Sequence, residues 1–301
     1  MSRLFGIAGV QMAVVPWDHA ATLRKMEDVT KNIARSFPWA QMIIFPELAV
    51  TGLTSFVTAP APDTWKANAQ AVPGPLTDEL CALARHTRKW LIPGSLYETE
   101  GDKLYNTSVV ISPEGQIVAK YRKMFPWMPY EVGVTPGNEF CVFDIPMVGR
   151  FGLCICYDQW FPEVARSLTW LGAEVILQPT LTTTPDRALE LVVSQANAIF
   201  NQCYFVGING VGVYGGGKSL IIDPDGRVIQ QAGEHDMILT ETLDLDKVTR
   251  AREYGNLGMT QTLKQLRDSG QKFPIYAEGV EQGEGFSRLG QLQLHRQLGT
   301  V

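Results

Sequence analysis

Of the five cysteines in the chain, Cys156 stands where a sulfur could do chemistry. Phe151-Gly152-Leu153-Cys154-Ile155-Cys156 is a short apolar run that reads as a central strand. Tyr157-Asp158-Gln159-Trp160-Phe161 follows, Pro162 fits the first position of a helix reaching Leu171, and Gly172 stands where its C-terminal cap is expected. A free thiol, with a pKa of about 8.5, is only a few per cent ionised at neutral pH. A helix N-terminus and a nearby cation would stabilise the anion, and the N–H after the nucleophile would point toward a developing oxyanion. The bland alternative is a buried small hydrophobe, which describes most free cysteines. Strand, sharp turn and helix together favour the reactive reading.

Three blocks carry a resemblance. Gly152-Leu153-Cys154-Ile155-Cys156-Tyr157-Asp158-Gln159-Trp160-Phe161-Pro162-Glu163 is similar to the nucleophile signature of the nitrilase (carbon–nitrogen hydrolase) superfamily. Ile44-Phe45-Pro46-Glu47-Leu48-Ala49-Val50-Thr51-Gly52 resembles the block holding that family's catalytic glutamate, and Lys120-Tyr121-Arg122-Lys123 the block holding its lysine. The blocks occur in the family's order, within a likeness running from about residue 5 to 265. The resemblance implies a four-layer αββα sandwich, a small-molecule amide substrate, no cofactor, and a homo-oligomer joined through its helical layers.

It also implies roles. Glu47 would take the Cys156 proton and later activate water, with burial raising its pKa toward working pH; on its own, a Glu beyond a strand reads as a solvated strand end. Lys123 would favour the thiolate and bond the oxyanion, a task suited to a compact ammonium with rotatable donors; alone it reads as a surface charge. Lys123–Glu131 resembles a segment of aliphatic amidases and formamidases, in which a second glutamate orients the substrate amide. Glu131 accepting from a substrate NH2 would distinguish amides from nitriles, which have no such donor; alone it reads as a loop residue. Trp127, Tyr157 and Trp160 either wall a small pocket or belong to the core. Gln159-Trp160-Phe161 is more like N-carbamoylputrescine amidases, and Asn197 and Phe200 stand where many relatives carry Arg and Glu. A carbamoyl-amine hydrolase, a nitrilase and a catalytically silent scaffold therefore remain alternatives to an amidase.

The elements that must position these groups alternate. Leu4–Met12 and Met42–Phe45 read as buried strands around a helix from Ala20 to about Phe37; Thr77–Lys89 reads as a second helix, and Trp90–Leu96, Ser108–Ile111 and Gln116–Lys120 as strands. Val109–Val118 and Leu220–Ile229 share one pattern: an apolar strand, a Pro-acid-Gly turn, and a second strand. These are either two unrelated hairpins or two quasi-equivalent halves packed sheet to sheet. Residues 1–266 read as the hydrolase domain. Asp268–Val301 is Gly- and Gln-rich, with Leu289, Leu292, Leu294 and Leu298 scattered through it, and reads as a disordered tail or an oligomerisation arm.

Composition narrows the partners. A formal charge of −5 supplies no basic surface for nucleic acid. No run of 18 apolar residues spans a membrane, and the N-terminus lacks signal-peptide features, so a reducing cytoplasm is the expected location. Four scattered histidines and Cys154-Ile155-Cys156 make no metal site. Gly212–Ser219 satisfies the phosphate-loop pattern, but the strand-like Leu220-Ile221-Ile222 follows where a helix is required. Asp186 and Glu190 read as solvated helix charges, with preference for a cationic substrate as the sharper alternative.

Overall fold

In the computed structural model, residues 2–15, 18–51, 62–212, 215–277 and 283–292 are described. Along the first half of the chain, β1 (Leu4–Gln11) leads through α1 (His19–Ser36) to β2 (Met42–Ile44). Helices α2 (Pro62–Ala67) and α3 (Pro75–Thr87) precede β3 (Trp90–Ile92), β4 (Leu96–Glu100), β5 (Lys103–Ile111) and β6 (Ile117–Arg122). The second half runs β7 (Cys141–Ile145), β8 (Gly149–Leu153), α4 (Pro162–Trp170), β9 (Val175–Thr180), α5 (Arg187–Asn201), β10 (Tyr204–Asn209), β11 (Leu220–Ile222), β12 (Val228–Gln231), β13 (Met237–Asp244) and α6 (Leu245–Tyr254). The short helices α7 (Thr262–Asp268), α8 (Pro274–Ala277) and α9 (Glu284–Ser287) follow.

The strands form two sheets. One has the order β13-β1-β2-β3-β5-β4, with β6 also paired to β5; the other has the order β12-β11-β10-β9-β8-β7. Strand alternation assigns each sheet two apolar faces. Phe5, Ile7, Met42 and Ile44 of the first sheet meet Phe151, Leu153, Val175 and Leu177 of the second in one buried layer. The opposite face of the first sheet (Ala8, Val10, Ile43, Leu91) packs on Met26 and Ile33 of α1 and Leu80 and Ala84 of α3. The outer face of the second (Ile176, Phe205) packs on Val164 and Leu168 of α4 and Ala198 of α5. This is the αββα sandwich the resemblance implied.

The two hairpins are equivalent in detail. Ser112 N donates to Gln116 O and Gly115 N to Ser112 O; Asp223 N donates to Arg227 O and Gly226 N to Asp223 O. Pairing shifts at the same step in each, Val110/Ile111 and Ile221/Ile222. One hairpin lies in each sheet, as two quasi-equivalent halves require.

Two strand assignments change. The run Trp90–Leu96 is split, because Pro93-Gly94 turns the chain between β3 and β4. The run ending at Cys156 stops pairing at Leu153, and Cys156 begins a 3-10 turn, Cys156–Trp160, ahead of α4. The phosphate-loop pattern of Gly212–Ser219, of which Val213 and Tyr214 lie outside the described residues, leads directly into β11. Gly217 and Lys218 turn their carbonyls, not their N–H groups, toward the Arg187 guanidinium.

Candidate active site

Glu47 follows β2 and is held from three sides. Its N–H donates to Thr180 O across the two sheets at 3.3 Å, Leu48 N donates to Ser95 Oγ at 3.0 Å, and the Pro46 carbonyl lies against Gly94. A Cβ on Gly94, at φ +86°, would sit 1.7 Å from Pro46 O, so only glycine fits there. Lys123 ends the β6 hairpin strand; its N–H donates to Asn106 O, and its carbonyl accepts from Gly137 N. Glu131 sits on the following loop, in a turn whose Tyr130 and Glu131 N–H groups both donate to Trp127 O.

These elements bring three charges together out of water. Glu47, Lys123 and Glu131 are 1%, 1% and 0% exposed. Lys123 Nζ donates to Glu47 Oε1 at 3.0 Å and to Glu131 Oε2 at 2.7 Å. Asn106 Nδ2 donates to Glu47 Oε1 at 2.8 Å and to Glu131 Oε1 at 3.3 Å, and Trp127 N to Glu131 Oε2 at 2.5 Å. A glutamate at a strand end and a lysine after a hairpin are usually solvated; here the sheet-to-sheet layer closes over both.

Cys156 faces this cluster from the second sheet. Its φ of +47° is a left-handed conformation that costs a non-glycine residue energy and needs surrounding support. Gln178 Nε2 holds its carbonyl at 2.9 Å. Asp158 Oδ2 accepts from Ile155 N at 2.9 Å and from Tyr121 Oη at 2.7 Å, and Oδ1 from Phe125 N at 2.8 Å. Asp158 therefore ties the turn of Cys156 to the segment around Lys123.

The electrostatics follow from burial. Desolvation raises the Glu47 pKa above the usual carboxylate value, with Lys123 opposing and Glu131 adding to it. Burial alone would lower Lys123, but Glu131 and Glu47 together hold it well above the ordinary lysine value. Burial and then Glu47 push the Cys156 thiol well up, and Lys123 only partly offsets them. Lys123 lowers the thiol as expected of a nearby cation, but burial and Glu47 outweigh it, and α4 begins only at Pro162, beyond the 3-10 turn. Burial and Glu47 thus favour the neutral thiol at Cys156. Glu47 Oε2 has no hydrogen-bond partner among the described residues. Tyr97 Oη and Asn106 Oδ1 are likewise buried without partners. Polar atoms left unpaired in this way are costly unless they serve a reaction or a ligand.

Of the aromatic candidates, Tyr157 and Trp160 are half-buried on the turn that begins at Cys156, their rings 6.4 Å apart, and Trp127 stacks on Tyr130 at 4.1 Å beside Glu131. Gln159 turns into α5, where its Oε1 accepts from Ser194 Oγ at 2.7 Å and its carbonyl from Asn197 Nδ2 at 3.0 Å. Phe200 is exposed. The solvated reading of Glu190 is overturned: it is 2% exposed, accepting from Arg187 Nη1 at 2.9 Å and Thr182 Oγ1 at 3.1 Å. Asp186 is half-buried just before α5. Sequence reasoning passed over Tyr97, Asn106, Asp158 and the threonines Thr180 and Thr182. Only Asp158, inside the nucleophile block, carried a signal that could have singled it out.

A family model described as carbon-nitrogen hydrolase matches residues 6–253. Omega-amidase NIT2 of Homo sapiens is 32% identical over 202 residues, 62% of this chain and 72% of its own length. A formamidase of Bacillus cereus (strain Q1) is 30% identical over 219 residues, covering 69% and 64%. The crystal structure of a carbon-nitrogen hydrolase from Helicobacter pylori G27 shares the fold, with a TM-score of 0.77 at 22% identity over 92% of this chain and 99% of that one.

Proposed function

The chain belongs to the carbon–nitrogen hydrolase family, and we propose that within it this protein is an amidase, cleaving a small linear amide to carboxylate and ammonia through a thioester on Cys156. The observation that supports this most is the buried triangle of Glu47, Lys123 and Glu131 beside Cys156, whose thiol burial and Glu47 push well up. In the first step Glu47 accepts the S–H proton, the sulfur adds to the amide carbon, and Lys123 Nζ with the Tyr157 N–H holds the oxyanion. Collapse breaks the C–N bond, and the proton on Glu47 leaves with ammonia. Water then loses a proton to Glu47 and adds to the thioester; the sulfur departs, recovers the proton, and carboxylate is released.

Glu131 would select for amides. Its Oε2 is engaged by Lys123 and Trp127 N, while Oε1 has, among the described residues, only the long 3.3 Å contact from Asn106 and retains capacity for a substrate NH2. A nitrile offers no such donor, and leaving that acceptor unmatched penalises it. Trp127, Tyr157 and Trp160 are proposed as the pocket wall. The carbamoyl-amine alternative loses part of its support, because the Gln159 side chain bonds α5. Incubation with one amide, one ureido compound and one nitrile, with ammonia and CO2 quantified, decides between the readings. Ammonia without CO2 from the amide is expected; consumption of the ureido compound or the nitrile alone would reject the amidase.

We also propose a homo-oligomer. Leu189, Val192 and Phe200 are exposed along α5, an apolar face suited to a second copy, and Trp170 of the neighbouring α4 is 75% exposed. Residues 267–301 are proposed as an arm added to that assembly rather than part of the hydrolase domain, which ends at residue 266. Light scattering of the full chain and of a chain ending at residue 266 tests both; a monomer in each case contradicts them. A reactive thiol among four other free cysteines suits a reducing cytoplasm.

A further inference from the structure

We propose that Glu190 is a positioning residue for the nucleophile: through Thr182 it sets which end of that hydroxyl, oxygen or hydrogen, faces the Cys156 sulfur. The inference rests on Cys156 being the nucleophile, and it concerns a contact of the sulfur other than Glu47.

The side chains form an unbroken chain. Thr182 Oγ1 lies 3.8 Å from Cys156 Sγ, 3.2 Å from Thr180 Oγ1 and 3.1 Å from Glu190 Oε1. Glu190 Oε2 accepts from Arg187 Nη1 at 2.9 Å, and Trp160 Nε1 approaches Oε1 at 3.5 Å. Arg187 is fixed in turn by the carbonyls of Gly217 and Lys218. The Thr182 backbone is pinned by Asn209, whose Oδ1 accepts from Thr182 N at 2.9 Å and whose Nδ2 donates to Thr182 O at 3.0 Å. Nothing in this chain is free to turn except the hydroxyl hydrogens.

Their directions follow from chemistry. An ionised carboxylate only accepts, so the Thr182 hydrogen is committed to Glu190 and its oxygen is what the sulfur meets. A thiolate there would face a lone pair where it needs a donor; a neutral thiol faces no such conflict. Around the sulfur the charged groups are the cluster of Glu47, Lys123 and Glu131, the pair Glu190 and Arg187, and Asp158 within its own turn. Glu190 thus adds to the forces holding the resting sulfur neutral, leaving thiolate formation to coincide with attack. The Arg187 pairing keeps the arrangement from acting as a cation-binding wall, which removes the cationic-substrate reading of Glu190.

Glu190→Gln reverses the hydroxyl. The Gln oxygen must face the Arg187 donor, so its NH2 donates to Thr182 Oγ1, and the Thr182 hydrogen is released to its two other neighbours, the sulfur and Thr180 Oγ1, the latter then free to donate to the sulfur in its turn. The test is the pH dependence of Cys156 alkylation by iodoacetamide, read by peptide mass spectrometry, which needs no substrate. In Glu190→Gln the midpoint should fall by about one pH unit. Alkylation near neutrality should rise about threefold, because the gain in thiolate is partly offset by lower nucleophilicity. In a Thr182→Val background the same Glu190→Gln change should shift the midpoint clearly less, by only the direct effect of removing the Glu190 charge, whereas a Thr182→Ser background, which keeps the hydroxyl should Val disturb folding, should restore the full shift. An unshifted midpoint in Glu190→Gln, or an equal shift with Val at position 182, overturns the relay. Absence of Cys156 alkylation in the unsubstituted protein would instead overturn the nucleophile assignment itself.

Discussion

Glu131→Gln separates a role in the reaction from a role in the fold. The two carboxylates and one ammonium of the triangle carry one net negative charge, and all three groups are buried. Replacing Glu131 by its amide keeps the shape and removes that excess charge, so the like-charge repulsion with Glu47 disappears. Glu131 Oε2 accepts from both Lys123 Nζ and Trp127 N, and the single oxygen of Gln must take over both. Its NH2 then faces Asn106 Nδ2, a donor, and Asn106 satisfies it only by turning its unpartnered Oδ1 around and abandoning Glu47 Oε1. The base thereby loses one hydrogen bond to a charged group, worth about 1.5–3 kcal/mol. If that loss falls on the transition state, kcat/KM drops by between about tenfold and about a hundredfold. Thermal unfolding should stay within about 3 °C of the parent, because relieved repulsion offsets the lost bond. Ammonia release at several amide concentrations, with a melting curve on the same sample, provides both readings. Unchanged kcat/KM together with a large drop in melting temperature would refute the reasoning and make Glu131 a structural anchor for Lys123.

Asp158 should set an acid limb. Burial raises its pKa to about 6 despite three donors, and once protonated it must donate into a cage of Ile155 N, Phe125 N and Tyr121 Oη. Activity is expected to fall as pH drops through about 6, and Asp158→Asn, less active throughout, should lose that limb; an unchanged limb in the variant would exclude Asp158 as its source. Stability runs the other way: the folded-state value lies above the 3.8 of the unfolded reference, so this group's contribution is complete below about pH 4 and is lost as pH rises through 6. Gly94→Ala, at φ +86° and with a Cβ 1.7 Å from Pro46 O, should cost about 3 kcal/mol and displace the segment carrying Glu47. A denaturant midpoint and kcat/KM both equal to the parent's would contradict that placement.

Much of the scaffold was legible because its signals are local. Pro113-Glu114-Gly115 and Pro224-Asp225-Gly226 specify their turns wherever they occur, and both hairpins form as read. Pro162 fixed the start of α4 in the same way. The end of the nucleophile strand was not legible: Cys154-Ile155 is as apolar as the residues before it, and the left-handed Cys156 depends on Gln178 and Asp158, distant in sequence or unremarkable within it. Helix α5 misled by inversion. Apart from Ala198, its buried residues are polar (Arg187, Glu190, Ser194, Asn197 and Asn201), while Leu189, Val192 and Phe200 face outward. Hydrophobic periodicity assigns those faces the opposite way, since a polar network beneath the helix and an apolar surface above it reverse the usual order. Glu190 was hidden for that reason.

Acid quenching during turnover of a small amide tests the central claim most directly. Intact-mass measurement should show protein heavier by one acyl group, peptide mapping should place that group on Cys156, and brief hydroxylamine treatment should remove it. The same quench of Cys156→Ala should show the unmodified mass and no ammonia. Turnover retained by Cys156→Ala, or an acyl group mapped to any other side chain, would contradict the account.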